Sequence, residues 1–238
     1  EEAAARGEAP AKRGFLAELK RIARGDLGFM SDAIDRHVER AHDHLEASGV
    51  GEDLGEERRA RVRDMAIVAG ISLAMLGIKA LKILPNIPFA PGHKLVLLTP
   101  LYLVATLKTR TRAGATLTGL TMGTVAFLLG DGRYGIFEIL KHVTPGVVSD
   151  LFLPLFTRGD KRPSAFASTL LGGLMGMGRF ATIFGVTLAV QPPAVAWAML
   201  APGLAIHTTF GLLSGLVSRP LCARIAIEPK TPQNPPDP

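Results

Sequence analysis

Long apolar blocks separated by short polar segments organise most of this chain. An α-helix needs about 20 apolar residues to cross ~30 Å of hydrocarbon, and about 18 is a workable minimum. A shorter sixth block, residues 95–107, crosses only if its flanks snorkel, the bilayer thins or neighbouring helices shelter its ends. The pattern predicts an all-α fold, a polytopic membrane bundle of about six transmembrane helices. The five blocks of sufficient length are residues 65–84, 113–130, 136–156, 164–190 and 197–218.

Basic clusters fall in alternate connections between these blocks. Lys and Arg in short loops are retained on the cytoplasmic side of a membrane, so the clusters predict that both chain ends are cytoplasmic and that the protein is multi-pass in the cell inner membrane. The formal net charge of +6 is explained by this topology and by anionic headgroups, and we expect no nucleic-acid partner. The clusters are "RRARVR" (58–63), "KTRTR" (108–112), "TRGDKR" (157–162) and "SRPLCAR" (218–224).

Composition divides the chain into three regions. Residues 1–58 form a cytoplasmic extension and linker with short amphipathic helices, the first of them at 11–25 and suited to lie on an anionic membrane surface. Residues 59–227 form the six-helix transmembrane domain, and residues 228–238 a disordered Pro-rich tail. The histidines of the extension lack a matching set of further ligands, so we expect no metal and no cofactor. The single cysteine, Cys222, excludes an internal disulfide.

Ionisable side chains interrupt the apolar block at residues 136–156, which is the fourth in chain order. Each such side chain costs about 2.5 to 3.5 kcal/mol at the bilayer centre. Glu138, Lys141 and His142 are three and four positions apart, so they share one helical face and partly neutralise one another. Pro145 removes a backbone donor and leaves carbonyls near residues 141 and 142 open to other partners. Two interpretations remain open: an ion pair that fixes helix packing, or a cluster that faces a ligand.

Other polar residues lie toward the same, outer side of the predicted bundle. Convergence from several segments predicts an outward-facing pocket. Its excess of cations favours a solute that carries a carboxylate or a phosphate. Asp150 lies nearer the cytoplasmic end and is expected to pair with Lys161, Arg162 or a partner protein. The candidate ligand-binding residues are His93, Lys94, Arg133, Glu138, Lys141, His142, Arg179 and His207.

Small residues recur four positions apart within the blocks. Helices in lipid associate where small side chains let their backbones approach closely, so this spacing predicts a tightly packed bundle. The pairs are Gly119 and Gly123, Gly172 and Gly176, and Gly211 and Gly215, together with the triplet Ala66, Gly70 and Ala74 in the first block.

Residues 65–226 resemble the substrate-specific S component of an energy-coupling factor transporter, a vitamin-uptake branch of ABC transport. The resemblance is carried by the six blocks, the small-residue face of "AIVAGISLA", the Pro-rich first outer loop "LPNIPFAPGHK", the Gly-rich third block and the polar fourth block. It implies that Ala66, Gly70 and Ala74 dock a transmembrane coupling subunit, which works with ATPase subunits. It also implies that a small solute binds near the outer face, between the first outer loop and the last three spans.

Two other functions are weighed against a solute-binding subunit. A non-transporting membrane scaffold would recruit a cytoplasmic partner through the N-terminal helices and use the buried charges only to hold the bundle together. A membrane enzyme would use Glu138 and His142 as acid and base, but the chain lacks an Asp-rich or Ser/His/Asp set. We assign no catalytic residue. The ATP-binding pattern GxxxxGK[ST] is absent from the sequence, so energy would have to come from partner subunits.

Overall fold

The computed structural model describes residues 36, 39, 40, 43, 55–80, 95–130, 135–157 and 163–224. All regular structure within these residues is helical, which confirms the predicted all-α class for the described part of the chain. The predictions for the amphipathic segment 11–25, the first outer loop and the Pro-rich tail lie outside the described residues. So do three of the candidate site residues: His93, Lys94 and Arg133.

Six helices follow one another in the described chain, and a single 3₁₀ turn at Gly135–Phe137 leads into the fourth. Ser164 begins the fifth helix, because its side chain accepts a hydrogen bond from the backbone N–H of Ala167 at 3.1 Å. The helices are α1 (Glu56–Ala80), α2 (Leu95–Lys108), α3 (Gly114–Leu128), α4 (Glu138–Phe156), α5 (Ala165–Val190) and α6 (Pro193–Arg224).

Three helical segments within the described residues are long and apolar enough to cross a membrane: Gly135–Phe156, Ala165–Val190 and Pro193–Cys222. They indicate a membrane protein. Val96–Lys108 and Gly114–Leu128 are shorter apolar helices. α1 has 25 residues, but its first turns carry the charged sequence "EERRARVRD", so only its second half is apolar. The count of six crossings and the position of the chain ends stay predictions.

α2 lies at the centre of the bundle and contacts each of the other five helices. Its side chains are apolar on every face, which is the pattern of a helix surrounded by protein rather than one exposed on one side. Every residue from Leu97 to Leu107 is buried. The short block that the sequence left uncertain is therefore the core helix of the fold, and the other helices shelter it.

Glycines lie where helices cross most closely, and the predicted close packing at these positions is confirmed. A Cβ on Gly172 would overlap the carbonyl oxygen of Gly211, and a Cβ on Gly211 would overlap that of Gly172. α3 approaches α4 in the same way, because a Cβ on Gly119 would overlap the carbonyl oxygen of His142. Backbone contact of this kind requires residues without a side chain.

Two carboxylates hold the connection between α2 and α3 and the first turn of α3. Asp64 of α1 accepts hydrogen bonds from the backbone N–H groups of Arg110 and Thr111 at 2.9 and 2.7 Å. Asp150 of α4 accepts from Ala115 N and Thr116 N at 3.1 and 2.7 Å.

Asp150 also accepts a hydrogen bond from the Thr106 hydroxyl at 2.7 Å. The sequence predicted Lys161, Arg162 or a partner protein as its counterpart. Lys161 and Arg162 lie outside the described residues, and within the described part of the chain Asp150 meets the start of α3. The physical reason is that the first N–H groups of a helix have no acceptor within the helix and attract a carboxylate.

Candidate functional site

The first turn of α4 brings two opposite charges into the bundle. Glu138 is 1% exposed, and its Oε1 atom pairs with the Lys141 ammonium three positions later. His142 lies one residue beyond and is fully buried. Spacing on one helical face therefore produces the ion pair that the sequence predicts. His142 is left to interact with the other helices.

Pro145 interrupts the hydrogen-bond ladder in the first turns of α4. It has no N–H to donate to the helix, and its ring crowds the preceding turn. The hydroxyl of Tyr102, from the central helix α2, donates a hydrogen bond to the His142 carbonyl oxygen at 2.8 Å. This agrees with the prediction that the proline leaves carbonyls near residues 141 and 142 open to other partners. Tyr102 is itself fully buried.

Arg179 brings a third charged group to the same region from α5. It is 7% exposed, and its charge acts on Tyr102, His142 and His207. The charge of Lys141 also reaches both histidines, and that of Lys79, in the last turn of α1, reaches His142. Five helices therefore contribute to one group, called here the polar cluster: Lys79, Tyr102, Glu138, Lys141, His142, Arg179 and His207.

α6 contributes His207, whose orientation is fixed on three sides. Its Nδ1 atom lies 2.9 Å from the carbonyl oxygen of Gly203. Because a carbonyl only accepts, we assign the ring proton to Nδ1. The ring lies 5.5 Å from that of Phe180, centroid to centroid, and Gly176 of α5 packs against the His207 backbone carbonyl. Nε2 is buried and has no hydrogen-bond partner among the described residues.

Several buried atoms of the polar cluster have no hydrogen-bond partner among the described residues. A buried polar group without a partner costs about 1 to 3 kcal/mol, and more when it is charged. Native proteins rarely keep many such groups at one place unless a ligand, ion or water completes them. The atoms are Oε2 of Glu138, Nδ1 and Nε2 of His142, Nε and Nη1 of Arg179, and Nε2 of His207.

Further residues beside the cluster were not singled out from the sequence. The hydroxyls of Thr144 and Thr182 join α4 to α5 at 2.6 Å. Phe180, Phe184 and Trp197 form a row of ring contacts, with successive centroids 6.0 and 5.5 Å apart. Tyr102 had a signal of its own, since it carries a hydroxyl in a block that is otherwise apolar, and a buried tyrosine hydroxyl usually finds a partner.

The structure thus brings together five of the eight candidate ligand-binding residues, Glu138, Lys141, His142, Arg179 and His207. The other three, His93, Lys94 and Arg133, lie outside the described chain. Within the described residues, no group of three or more His, Cys, Asp or Glu side chains is arranged to hold a metal ion. The unpartnered atoms of the cluster within the described residues include hydrogen-bond donors on Arg179 and acceptors on Glu138 and His207.

A groove between α1 and α3 lies near the Asp64 end of the bundle, away from the polar cluster. Its cavity volume is about 430 Å³, and Ala69 is exposed within it. Ala66, Gly70 and Ala74, the predicted docking face, are half-buried on the same helix. Their docking role stays a prediction. The groove is lined by Arg61, Asp64, Met65, Val68, Ala69, Thr111, Leu117 and Thr121.

No family model, curated protein or solved structure matches this chain. The function is therefore argued from the polar cluster and from the bundle that surrounds it.

Proposed function

We propose that this protein is a membrane-embedded solute-binding subunit of an uptake transporter of the energy-coupling factor class, and that it binds a small anionic solute. The observation that carries the proposal is the buried polar cluster, in which atoms from three helices have no hydrogen-bond partner among the described residues. Such groups are expensive in an apolar bundle. A bound solute that supplies their missing partners offsets that cost.

The alternative function, a membrane scaffold, accounts less well for this arrangement. Buried charges that only hold helices together are expected to be paired with one another, because an uncompensated charge weakens the fold that it is meant to stabilise. Glu138 and Lys141 meet this expectation. Arg179 does not, because neither Nε nor Nη1 has a partner among the described residues.

The charge balance of the cluster sets the sign of the solute. Glu138 and Lys141 pair with one another, and Arg179 adds a cation whose Nε and Nη1 atoms have no hydrogen-bond partner among the described residues. One negative charge on the solute would reduce the imbalance, and a guanidinium with free N–H groups is well matched to a carboxylate or phosphate. We therefore expect the acidic group of the solute to lie against Arg179.

The assignment to the energy-coupling factor class rests on the resemblance and the architecture together. It includes six spans with both ends cytoplasmic in the cell inner membrane, and partner subunits that hydrolyse ATP. In this proposal the α1 face of Ala66, Gly70 and Ala74 contacts the transmembrane coupling subunit. The three membrane-length helices and the sheltered central helix are consistent with such a bundle.

The proposal is tested by identifying what the protein retains. The full chain, purified gently in lipid nanodiscs, is incubated with the small-molecule fraction of host cell extract, washed and heated, and the released solutes are identified by mass spectrometry. We expect an anionic solute from the wild-type chain and at least a tenfold smaller amount from Arg179→Gln, because a charge-assisted hydrogen bond contributes about 1.5 to 3 kcal/mol.

Arg112→Gln is the matched control, because Arg112 is exposed and lies at the opposite end of the bundle. This variant should release as much solute as the wild-type chain. If Arg179→Gln only lowers the thermal stability of the protein, and neither the wild-type chain nor this variant releases an anion, the results favour the scaffold function over solute binding.

A further inference from the structure

We propose that the bound solute carries at least one N–H or O–H donor in addition to its acidic group. This inference rests on the proposed function, because it concerns the chemistry of the same site. It follows from counting which unpartnered atoms of the polar cluster can only donate and which can only accept a hydrogen bond.

Arg179 defines the donor side of the site. A guanidinium carries five N–H donors, has no acceptor and keeps its proton in proteins. Its unpartnered Nε and Nη1 atoms therefore need acceptors, and an oxyanion is the strongest that a small solute can offer. This side of the site accounts for the acidic group.

Glu138 and His207 define an acceptor side. Glu138 pairs with the Lys141 ammonium through Oε1, so the carboxylate is ionised and its buried Oε2 can only accept. His207 holds its proton on Nδ1 against the Gly203 carbonyl, so Nε2 of the neutral ring presents a lone pair. Both atoms need a donor.

A solute that offers acceptors alone would not complete this site. Its oxygen atoms would satisfy Arg179, but they would leave the lone pairs of Glu138 Oε2 and His207 Nε2 buried without a donor. His142 does not decide between solutes, because a neutral imidazole has one donor and one acceptor and both of its nitrogens are unpartnered among the described residues. The favoured class is thus a small carboxylate or phosphate with a hydroxyl, amino, amide or ring N–H group.

Hydrogen exchange in the mass spectrometer tests this inference directly. The solutes released from the full chain in nanodiscs, loaded with the small-molecule fraction of host extract, are sprayed from H₂O and from D₂O in negative-ion mode. A carboxylic acid has already lost its acid proton in this mode. A mass gain in D₂O, after subtraction of any acid hydrogen that a phosphate or a second carboxyl group retains, therefore counts the remaining N–H and O–H groups.

His207→Phe is the companion variant. Phenylalanine keeps a ring that can pack against Phe180, but it has no nitrogen to accept a hydrogen bond. We expect this variant to retain about tenfold less of the same solute, which corresponds to the loss of one hydrogen bond of about 1 to 1.5 kcal/mol. Arg112→Gln again serves as the control with unchanged retention.

The outcomes separate this inference from the proposed function. An anionic solute that gains mass in D₂O and is lost from both Arg179→Gln and His207→Phe supports the inference. An anionic solute that gains no mass in D₂O, or that His207→Phe retains fully, overturns the inference and leaves the proposed function standing. If no released anion depends on Arg179 for its retention, both the inference and the proposed function are overturned.

Discussion

The carboxylates of Glu138, Asp64 and Asp150 have two different roles, one in the polar cluster and one in stabilising the fold. The hydrogen-bond partners of each carboxylate determine its role. Glu138 is paired with an ammonium and keeps one oxygen without a partner among the described residues, inside the polar cluster. Asp64 accepts from backbone N–H groups of the α2–α3 connection, and Asp150 accepts from those at the start of α3. A fully satisfied carboxylate stabilises the fold, whereas a partly satisfied one is available to a ligand.

Asp150→Asn should therefore lower stability without affecting solute retention. The substitution removes the negative charge at the N-terminus of α3 and one of the two oxygens that accept from Ala115 and Thr116. Loss of a charged cap costs about 0.5 to 2 kcal/mol. Thermal unfolding in nanodiscs should show a lower midpoint than that of the wild-type chain.

Asp43→Asn is the matched control, because Asp43 is exposed and its substitution by Asn makes the same change of charge. Its midpoint should equal that of the wild-type chain. Equal midpoints for Asp150→Asn and Asp43→Asn would contradict the role given to Asp150.

The sequence predicted part of the cluster at this scale. Helical spacing was sufficient to pair Glu138 with Lys141, and Pro145 marked the turn of α4 in which the His142 carbonyl accepts a hydrogen bond from another helix. That the donor to this carbonyl is Tyr102 depends on where α2 lies against α4, and no local pattern contains that information. The same holds for Asp150, whose partners lie about 35 positions away along the chain.

At the scale of helices, the sequence likewise predicted that close packing occurs but not which helices pair. Glycines four positions apart predicted close packing, and the structure shows which helices they join, α3 with α4 and α5 with α6. The α5–α6 contact is reciprocal, because Gly172 and Gly211 each lie against the carbonyl of the other. It also supports the site, since Gly176 on the same face packs against the backbone of His207.

Gly172→Ala should destabilise the protein, although alanine is the better helix former. Its Cβ would overlap the Gly211 carbonyl oxygen, which belongs to rigid backbone, so the helices must separate. Overpacking of this kind typically costs about 1 to 3 kcal/mol. A thermal unfolding experiment should show a lower midpoint for this variant.

Gly185→Ala is a matched control on the same helix, since a Cβ there meets nothing within 4 Å among the described residues. It should leave the midpoint unchanged or raise it, because alanine favours a helix over glycine by up to about 1 kcal/mol. A drop of equal size in both variants would show that the loss at Gly172 is not caused by helix contact.

Across the whole molecule, the polar cluster and the α1–α3 groove lie in different parts of the bundle. Lys79, in the last turn of α1, acts on the cluster, whereas Arg61 and Asp64, near the start of the same helix, line the groove. At 1.5 Å per residue, the 15 positions between Asp64 and Lys79 correspond to about 22 Å along the axis. In the proposed transporter, α1 therefore extends from the solute site at its C-terminal end, past the proposed docking face of Ala66, Gly70 and Ala74, to the groove.

Ala69→Trp should consequently separate the two activities of the proposed transporter. Ala69 is exposed in the groove, one turn from Ala66 of the proposed docking face, so an indole there would obstruct a coupling subunit that contacts this face. We expect the tagged chain to recover at least tenfold less of the coupling and ATPase subunits from its native membrane, because each tenfold loss requires only about 1.4 kcal/mol. Solute retention should be unchanged.

Leu151→Trp, on the exposed face of α4 and outside the groove, should recover both subunits normally. Equal recovery by Ala69→Trp and the wild-type chain would place the docking surface elsewhere on the bundle.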